Sequence, residues 1–243
     1  MEFDNNWLLS AMTFAPLVGA ALVMIIPNAE EDMIKGAALL SSLVAAGIGV
    51  FLLFDFDYDN AGELQYVVDE KWISVINSRY ILGVDGMSLP LIALTLLVVP
   101  LCIVYTFGHF PEPRNPKAIL SLILILETGM IGTFVAQDLI LFFVFFEVVL
   151  LPMFFMIAVW GGEDRRYASL KFFLYTMFGS ALMLVSFLAM YFLADGSIVG
   201  DQANTFSMVA LSEGATVGIA RTSQLWIFAG MFVGFGVKVP MFP

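Results

Sequence analysis

The sequence predicts an all-α polytopic membrane protein with about seven transmembrane helices, the last discontinuous, and a short β-hairpin in an outer loop over residues 55–86. Three observations lead there. The 243 residues are 60% hydrophobic and only 13% charged, with a mean hydropathy of +0.94, whereas soluble domains are about half apolar and about a quarter charged. Apolar runs of the length a bilayer requires, about 20 residues, recur along the chain. Most of the charge falls between those runs.

The first run spans about Trp7 to Ile26 and stops at Pro27-Asn28. Ahead of it, MEFDNNW carries acids where a cleaved signal peptide has a positive segment, so this span is expected to be retained. The second, about Met33 to Phe54, is rich in Ala, Gly and Ser, which let membrane helices pack closely. A polar stretch from Asp55 to Asp85 follows, with acids at 55, 57 and 59. Within it, WISVI and RYILGV flank Asn77-Ser78, the signature of a hairpin outside the bilayer.

The third span, about Met87 to Phe107, has Pro90 in its first turn and Pro100 in its interior, where a proline predicts a kink. The fourth covers about Ala118 to Ala136 with Glu127 at mid-depth. Gln137-Asp138 leaves little room for a loop, so the fourth and fifth spans should form a tight antiparallel pair. Asp138 reads as a helix cap or a surface residue. The fifth span, Asp138 to Trp160, places Glu147 near its centre, and Trp160 suits headgroup depth. The sixth runs to about Leu193 with Lys171 in its first turns. A polar segment from Asp195 to Gln224 includes a candidate short helix at Phe206–Leu211. The last span begins near Leu225, and the run ending it surrounds Lys238 with Gly230, Gly234, Gly236, Pro240 and Pro243. Pro240 removes a backbone donor where the lysine sits, and broken membrane helices survive only where freed groups meet protein or water.

Charge sets the topology. With the N-terminus outside, the inner loops hold Lys35, Arg114, Lys117, Arg165 and Arg166, with Lys171 beside them. The longer outer loops hold only Lys71, Arg79 and Arg221, as the positive-inside rule favours. The net charge of −11 comes mostly from loop acids and reads as solvated surface. Nucleic-acid binding is excluded for lack of a basic patch. Cys102 has no partner for a disulfide or thiolate site, and the single His109, beside Phe110 and Pro111, reads as interfacial. No phosphate-binding or dinucleotide-binding glycine motif stands in its required context, and no Cys/His set suits haem or iron–sulfur ligation. Redox chemistry, if the protein takes part in any, happens elsewhere.

The informative residues are therefore the ionisable ones inside the spans. An intramembrane acid costs about 2.5–3.5 kcal/mol on insertion scales, so by default it marks a function. Glu147 is the leading candidate, against a structural hydrogen bond to a neighbouring helix. Lys238 follows, too deep to snorkel easily to the inner surface. Lys171 lies only a turn or so inside the boundary and can snorkel. Glu127 competes with the plain reading of a neutral buried acid. The phenylalanines around Glu147 read as packing or lipid-facing surface. Two acids and two lysines on four helices suit proton translocation. Burial disfavours charge on both types, an opposite charge restores it, and a lysine about 6 Å from an acid contributes roughly 2.8 kcal/mol at an effective dielectric of about 20. Moving the lysine would then load or unload a proton. The sequence leaves open whether Glu147 meets Lys171, Lys238 or both.

The runs LGVDGMSLPL, ETGMIGTFVAQDLILFFVFFEVVLLPMFFMIAVWGG, YASLKFFLYTMFGSALML and GFGVKVPMFP resemble the antiporter-like subunit M family of bacterial respiratory complex I, the counterpart of mitochondrial NADH dehydrogenase subunit 4. The resemblance covers essentially the whole chain. It implies the front part of a fourteen-helix fold with two inverted five-helix repeats, each with a broken helix, in a single membrane domain: residues 1–117 hold three helices and the outer hairpin loop, and 118–243 an incomplete first repeat. Glu147 matches the family's fifth-helix glutamate and Lys238 its broken-helix lysine, while Glu127 and Lys171 fall on positions also ionisable there. The resemblance further implies proton translocation coupled to NADH:quinone oxidoreduction in neighbouring subunits. It implies no cofactor in this chain, flavin and iron–sulfur clusters in partner subunits, contact with other antiporter-like membrane subunits, and a bacterial plasma membrane with the N-terminus on the periplasmic side. The rival readings are a cation/proton antiporter subunit of the Mrp type and a membrane subunit of an energy-converting hydrogenase, which share Glu147 and Lys238, or a scaffold that does not pump.

Overall fold

A computed structural model describes residues 7–194, 204–214, 219–239 and 241. Among the described residues, six helical spans are long and apolar enough to cross a membrane. They are α1 (Leu8–Ile25), α2 (Glu31–Asp55), α3 (Ser88–Gly108), α4 (Pro116–Val135), a fifth formed by α5 (Leu139–Val148) with α6 (Leu150–Trp160), and α7 (Arg165–Leu193). A short α8 (Met208–Gly214) precedes α9 (Arg221–Lys238). The expected span boundaries hold to within about a turn. The short helix lies two residues later than expected, and α9 begins about one turn earlier, at Arg221 rather than Leu225. Pro240 and Pro243 lie outside the described residues. Pro100 sits inside an uninterrupted α3.

The hairpin is present but its strands differ from the expectation. β1 runs from Gln65 to Ile73, and β2 from Ser78 to Val84, antiparallel, with Lys71 opposite Arg79 and Val68 opposite Leu82. Only Trp72 and Ile73 of the WISVI segment belong to a strand. Ser74–Ile76 form a 3₁₀ turn closed by Asn77, whose φ of 50° is left-handed, a conformation that Asn tolerates. The second half of β2, Ile81 to Val84, is buried throughout and seats Leu82 and Val84 in the core, both fully buried. The turn after β2 then launches α3. The Asp85 carboxylate accepts hydrogen bonds from the backbone N–H groups of Met87 and Ser88 at 3.1 and 2.7 Å, satisfying donors that a helix start leaves orphaned. Burial pushes the Asp85 carboxyl up, but these N–H bonds outweigh it and hold the group below its ordinary value.

One core cluster joins α1, α2, α3, α4, α5 and the hairpin through Leu9, Leu52, Leu82, Ile92, Ile131 and Phe145. A second joins α1–α4 near their other ends. A third gathers α5, α7, α8 and the segment before α8 around Met183, Phe187 and Phe206. α4 is thus buried chiefly among α1–α3. At the cation-rich end, Arg114 makes a two-point contact with Glu31 (2.8 and 3.1 Å), and Glu31 also meets the buried Lys35 at 2.6 Å, tying α2 to the α3–α4 loop.

Candidate functional site

The fifth span breaks beside its acid. α5 ends at Val148 and α6 begins at Leu150, where an uninterrupted helix was expected. Pro152 supplies the cause. It has no N–H to donate to the carbonyl of Val148, and its ring crowds that carbonyl. The uniformly apolar run hides the break from periodicity; the proline at four residues beyond Val148 was the available signal. Val149 keeps helical dihedrals (φ −62°, ψ −30°), so the chain continues as one 22-residue span whose hydrogen-bond ladder is interrupted just beyond Glu147.

Lys238 meets the span just before that interruption. Its Nζ donates to the carbonyl of Phe146 at 2.6 Å and stands 3.5 Å from Glu147 Oε1. It also lies 3.3 Å from the centroid of the Phe146 ring. Three attractions for a cation therefore converge: the carboxylate, the Phe146 carbonyl and an aromatic face. Both side chains are mostly buried, Lys238 17% and Glu147 24% exposed. At 3.5 Å and an effective dielectric of about 20, the Coulomb attraction is about 5 kcal/mol, set against the cost of removing both charges from water. Glu147 Oε1 accepts no hydrogen bond. The ammonium is thus bonded to a carbonyl and poised beside the carboxylate, so a small displacement changes the charge that Glu147 feels.

Glycines bring Lys238 there. α7 and α9 lie antiparallel and close. A Cβ on Gly230 would collide with Ser186, one on Gly234 would lie 2.6 Å from Met183 Cβ, and one on Gly179 would lie 2.9 Å from Val237 Cβ. Gly230 and Gly234 form a small-xxx-small pair on α9, the spacing that lets membrane helices approach at backbone distance. The phenylalanines near Glu147 complete the packing: Phe142 and Phe146 both set their rings against Phe235 of α9.

The other two candidate residues are not brought to this pair. Lys171 is exposed, its Nζ 5.6 Å from the Tyr167 ring centroid. Glu127 is fully buried and faces α2, where Ser42 Oγ donates to its Oε1 at 2.8 Å, while its Oε2 has no partner. The two acids therefore address different helices. Ser42 had been legible only as a small packing residue. A Ser42→Ala substitution is expected to destabilise the protein by about 1–3 kcal/mol by leaving a buried carboxyl without a donor; an unchanged thermal midpoint in detergent would refute this.

Asp138 caps α5, as expected, but it is not at the surface. It is fully buried and accepts from Ser78 Oγ, Arg79 N, Ile140 N and Leu141 N at 2.9–3.1 Å. Backbone bonds from Gln137 N to Ile81 O and from Leu139 N to Phe206 O flank it. The α4–α5 turn is knotted to the hairpin and to the strand-like segment before α8.

Comparison with known proteins places this geometry. A family model described as NADH:quinone oxidoreductase/Mrp antiporter, TM, matches residues 136–243, and one described as NADH-ubiquinone oxidoreductase chain 4, amino terminus, matches residues 63–133. NADH-quinone oxidoreductase subunit M of Rhodobacter capsulatus is 40% identical over 242 residues, covering 97% of this chain and 46% of its own length. The chain belongs to the subunit M/chain 4 family. NADH-ubiquinone oxidoreductase chain 4 of Marchantia polymorpha, another member, is 33% identical, with 97% of this chain and 45% of that protein covered. The chain thus spans less than half the length of these relatives and corresponds to the N-terminal part of the family. The fold is shared with a chain of respiratory complex I from Thermus thermophilus (TM-score 0.79, 24% identity, 97% of this chain and 44% of that one). It is shared too with a chain of the Mrp complex from Dietzia sp. DQ12-45-1b (TM-score 0.73, 16% identity, 94% and 24%). The apolar helical spans and the family matches together make the chain a multi-pass membrane protein.

Proposed function

We propose that the chain is the front part of a proton-translocating membrane subunit of an NADH:quinone oxidoreductase, and that Glu147 and Lys238 form the proton-loading pair. The observation that carries this reading is the ammonium held 3.5 Å from Glu147 inside the span. In this reading Lys238 near Glu147 keeps the carboxylate charged, and withdrawal of Lys238 makes proton uptake favourable. Quinone reduction in neighbouring subunits drives the exchange. This chain contributes no redox group; flavin and iron–sulfur clusters belong to partner subunits, and neighbouring antiporter-like subunits flank it. Glu127 and Lys171 take secondary places on the proton path. The cation-rich end faces the cytoplasm of a bacterium and the N-terminus faces the periplasm, in keeping with the positive-inside rule.

In the assembled complex, Glu147→Gln should keep NADH oxidation by the neighbouring subunits while cutting proton pumping about tenfold or more, because the amide cannot take up and release a proton. Normal pumping by a fully assembled variant would overturn the reading. Likeness of fold to an Mrp complex chain favours, as a second reading, a cation/proton antiporter subunit. Flavin and iron–sulfur absorbance in the purified complex supports the first reading, and their absence the second.

A further inference from the structure

We infer that the groove between α1, α4 and α6 at the cation-rich end binds an anionic phospholipid. The groove has a volume of about 560 Å³, and its wall is almost wholly apolar, with Leu17, Met24, Ile125, Phe155 and Trp160 among its residues. Its one hydroxyl belongs to Ser121, 6% exposed, whose Oγ has no hydrogen-bond partner. Serines and threonines in apolar helices usually bond back to their own backbone. Thr13, Ser41, Thr133 and Ser186 do so here, each to the carbonyl four residues earlier. Ser121 keeps its donor free on the wall of the groove.

The mouth of the groove is positive. Lys117 Nζ donates to the carbonyl of Met24 at 3.1 Å, and Arg165 Nη1 to the carbonyl of Val159 at 2.8 Å. Met24 and Val159 line the groove on α1 and α6, so the two cations flank its entrance. Arg114 is committed to Glu31, but among the described residues neither Lys117 nor Arg165 makes an ion pair, although Glu163 and Asp164 share the loop with Arg165. The Trp160 indole, held by a 2.9 Å bond from Nε1 to the carbonyl of Pro113, stands where interfacial tryptophans settle.

These features match one molecule in depth order. A phosphate would sit between Lys117 and Arg165, an ester carbonyl one helical turn deeper would accept from Ser121, and an acyl chain would continue along Ile125 and Phe155. Basic pockets between helices on the cytoplasmic side are recognised sites for anionic headgroups. A free phosphate would leave the apolar wall unused, and a zwitterionic lipid would gain little from the two cations.

The test uses the assembled complex with the full-length subunit, reconstituted with phosphatidylglycerol or phosphatidylcholine carrying a photoactivatable acyl chain. Phosphatidylglycerol should label peptides containing Leu17, Ile125 and Phe155 about thirtyfold more efficiently, since each basic residue near anionic lipid contributes about 1 kcal/mol. Lys117→Gln with Arg165→Gln should bring that labelling down to the phosphatidylcholine level. Ala21→Trp, which fills the groove and leaves both cations in place, should abolish it, and this arm decides the matter if the double variant fails to assemble. Equal labelling by the two lipids, labelling indifferent to both changes, or cross-linking of the groove to another protein segment in place of lipid would overturn the proposal.

Discussion

An Asp138→Ala variant is expected to lose about 3–5 kcal/mol of stability, at the upper end for a single substitution. The carboxylate is fully buried and accepts four hydrogen bonds. Two come from the first-turn N–H groups of α5, which have no intrahelical acceptor, and two from Ser78 and Arg79 at the start of β2. Each buried donor left unpaired costs about 1–3 kcal/mol, less where water can reach it, so the sum is not four times the single value. Asp138→Asn should fall between, because the amide oxygen can serve the α5 cap while its NH₂ group faces the Arg79 N–H as donor against donor. The thermal midpoint of the purified complex and proteolysis of the hairpin report the two effects. A midpoint for Asp138→Ala within a degree of wild type, with an intact hairpin, would show that this cluster is dispensable.

Gly234→Leu is expected to disable the site without touching a charged group. Even a Cβ at this position would lie 2.6 Å from Met183 Cβ and 2.9 Å from the Gly179 carbonyl. Overpacking of this kind costs about 1–3 kcal/mol, and relief requires α9 to move away from α7. Lys238, four residues on, moves with it. A misplacement of about 1 Å can cost a reaction about a hundredfold, and a loss of pumping on that scale should appear while NADH oxidation continues. Gly236→Ala is the control, since the nearest atom to its added Cβ would be Met241 Sδ at 3.6 Å. Equal loss in both variants would assign the effect to helix flexibility rather than to the α7–α9 contact.

Much of the fold was legible because its cause is local. A bilayer imposes helices of fixed length on apolar runs, so the limits of α1 to α4 follow from composition. The cost of charge in hydrocarbon likewise singled out Glu147 and Lys238. Long-range pairing was a different matter. Ser42 and Glu127 are 85 positions apart, and Asp138 and Ser78 are 60 apart; nothing in either neighbourhood names the other. The sequence left open whether Glu147 meets Lys171, Lys238 or both; α7 turns Gly179, rather than Lys171, toward α9. The break at Val149 stands between these cases. Its cause, Pro152, is local, but a run without polar residues offers no change of pattern to draw attention to it.

The break and the Asp138 knot together divide the fifth span into unequal partners. α5 carries Glu147 and is fastened at its outer end to the hairpin and to the segment before α8. α6 continues from it through Val149 and packs mainly along α7. If the pair loads protons as proposed, Glu147 is its fixed member. A stroke that opens or closes the gap between Glu147 and Lys238 should then be made by α9 moving along its close glycine contacts with α7.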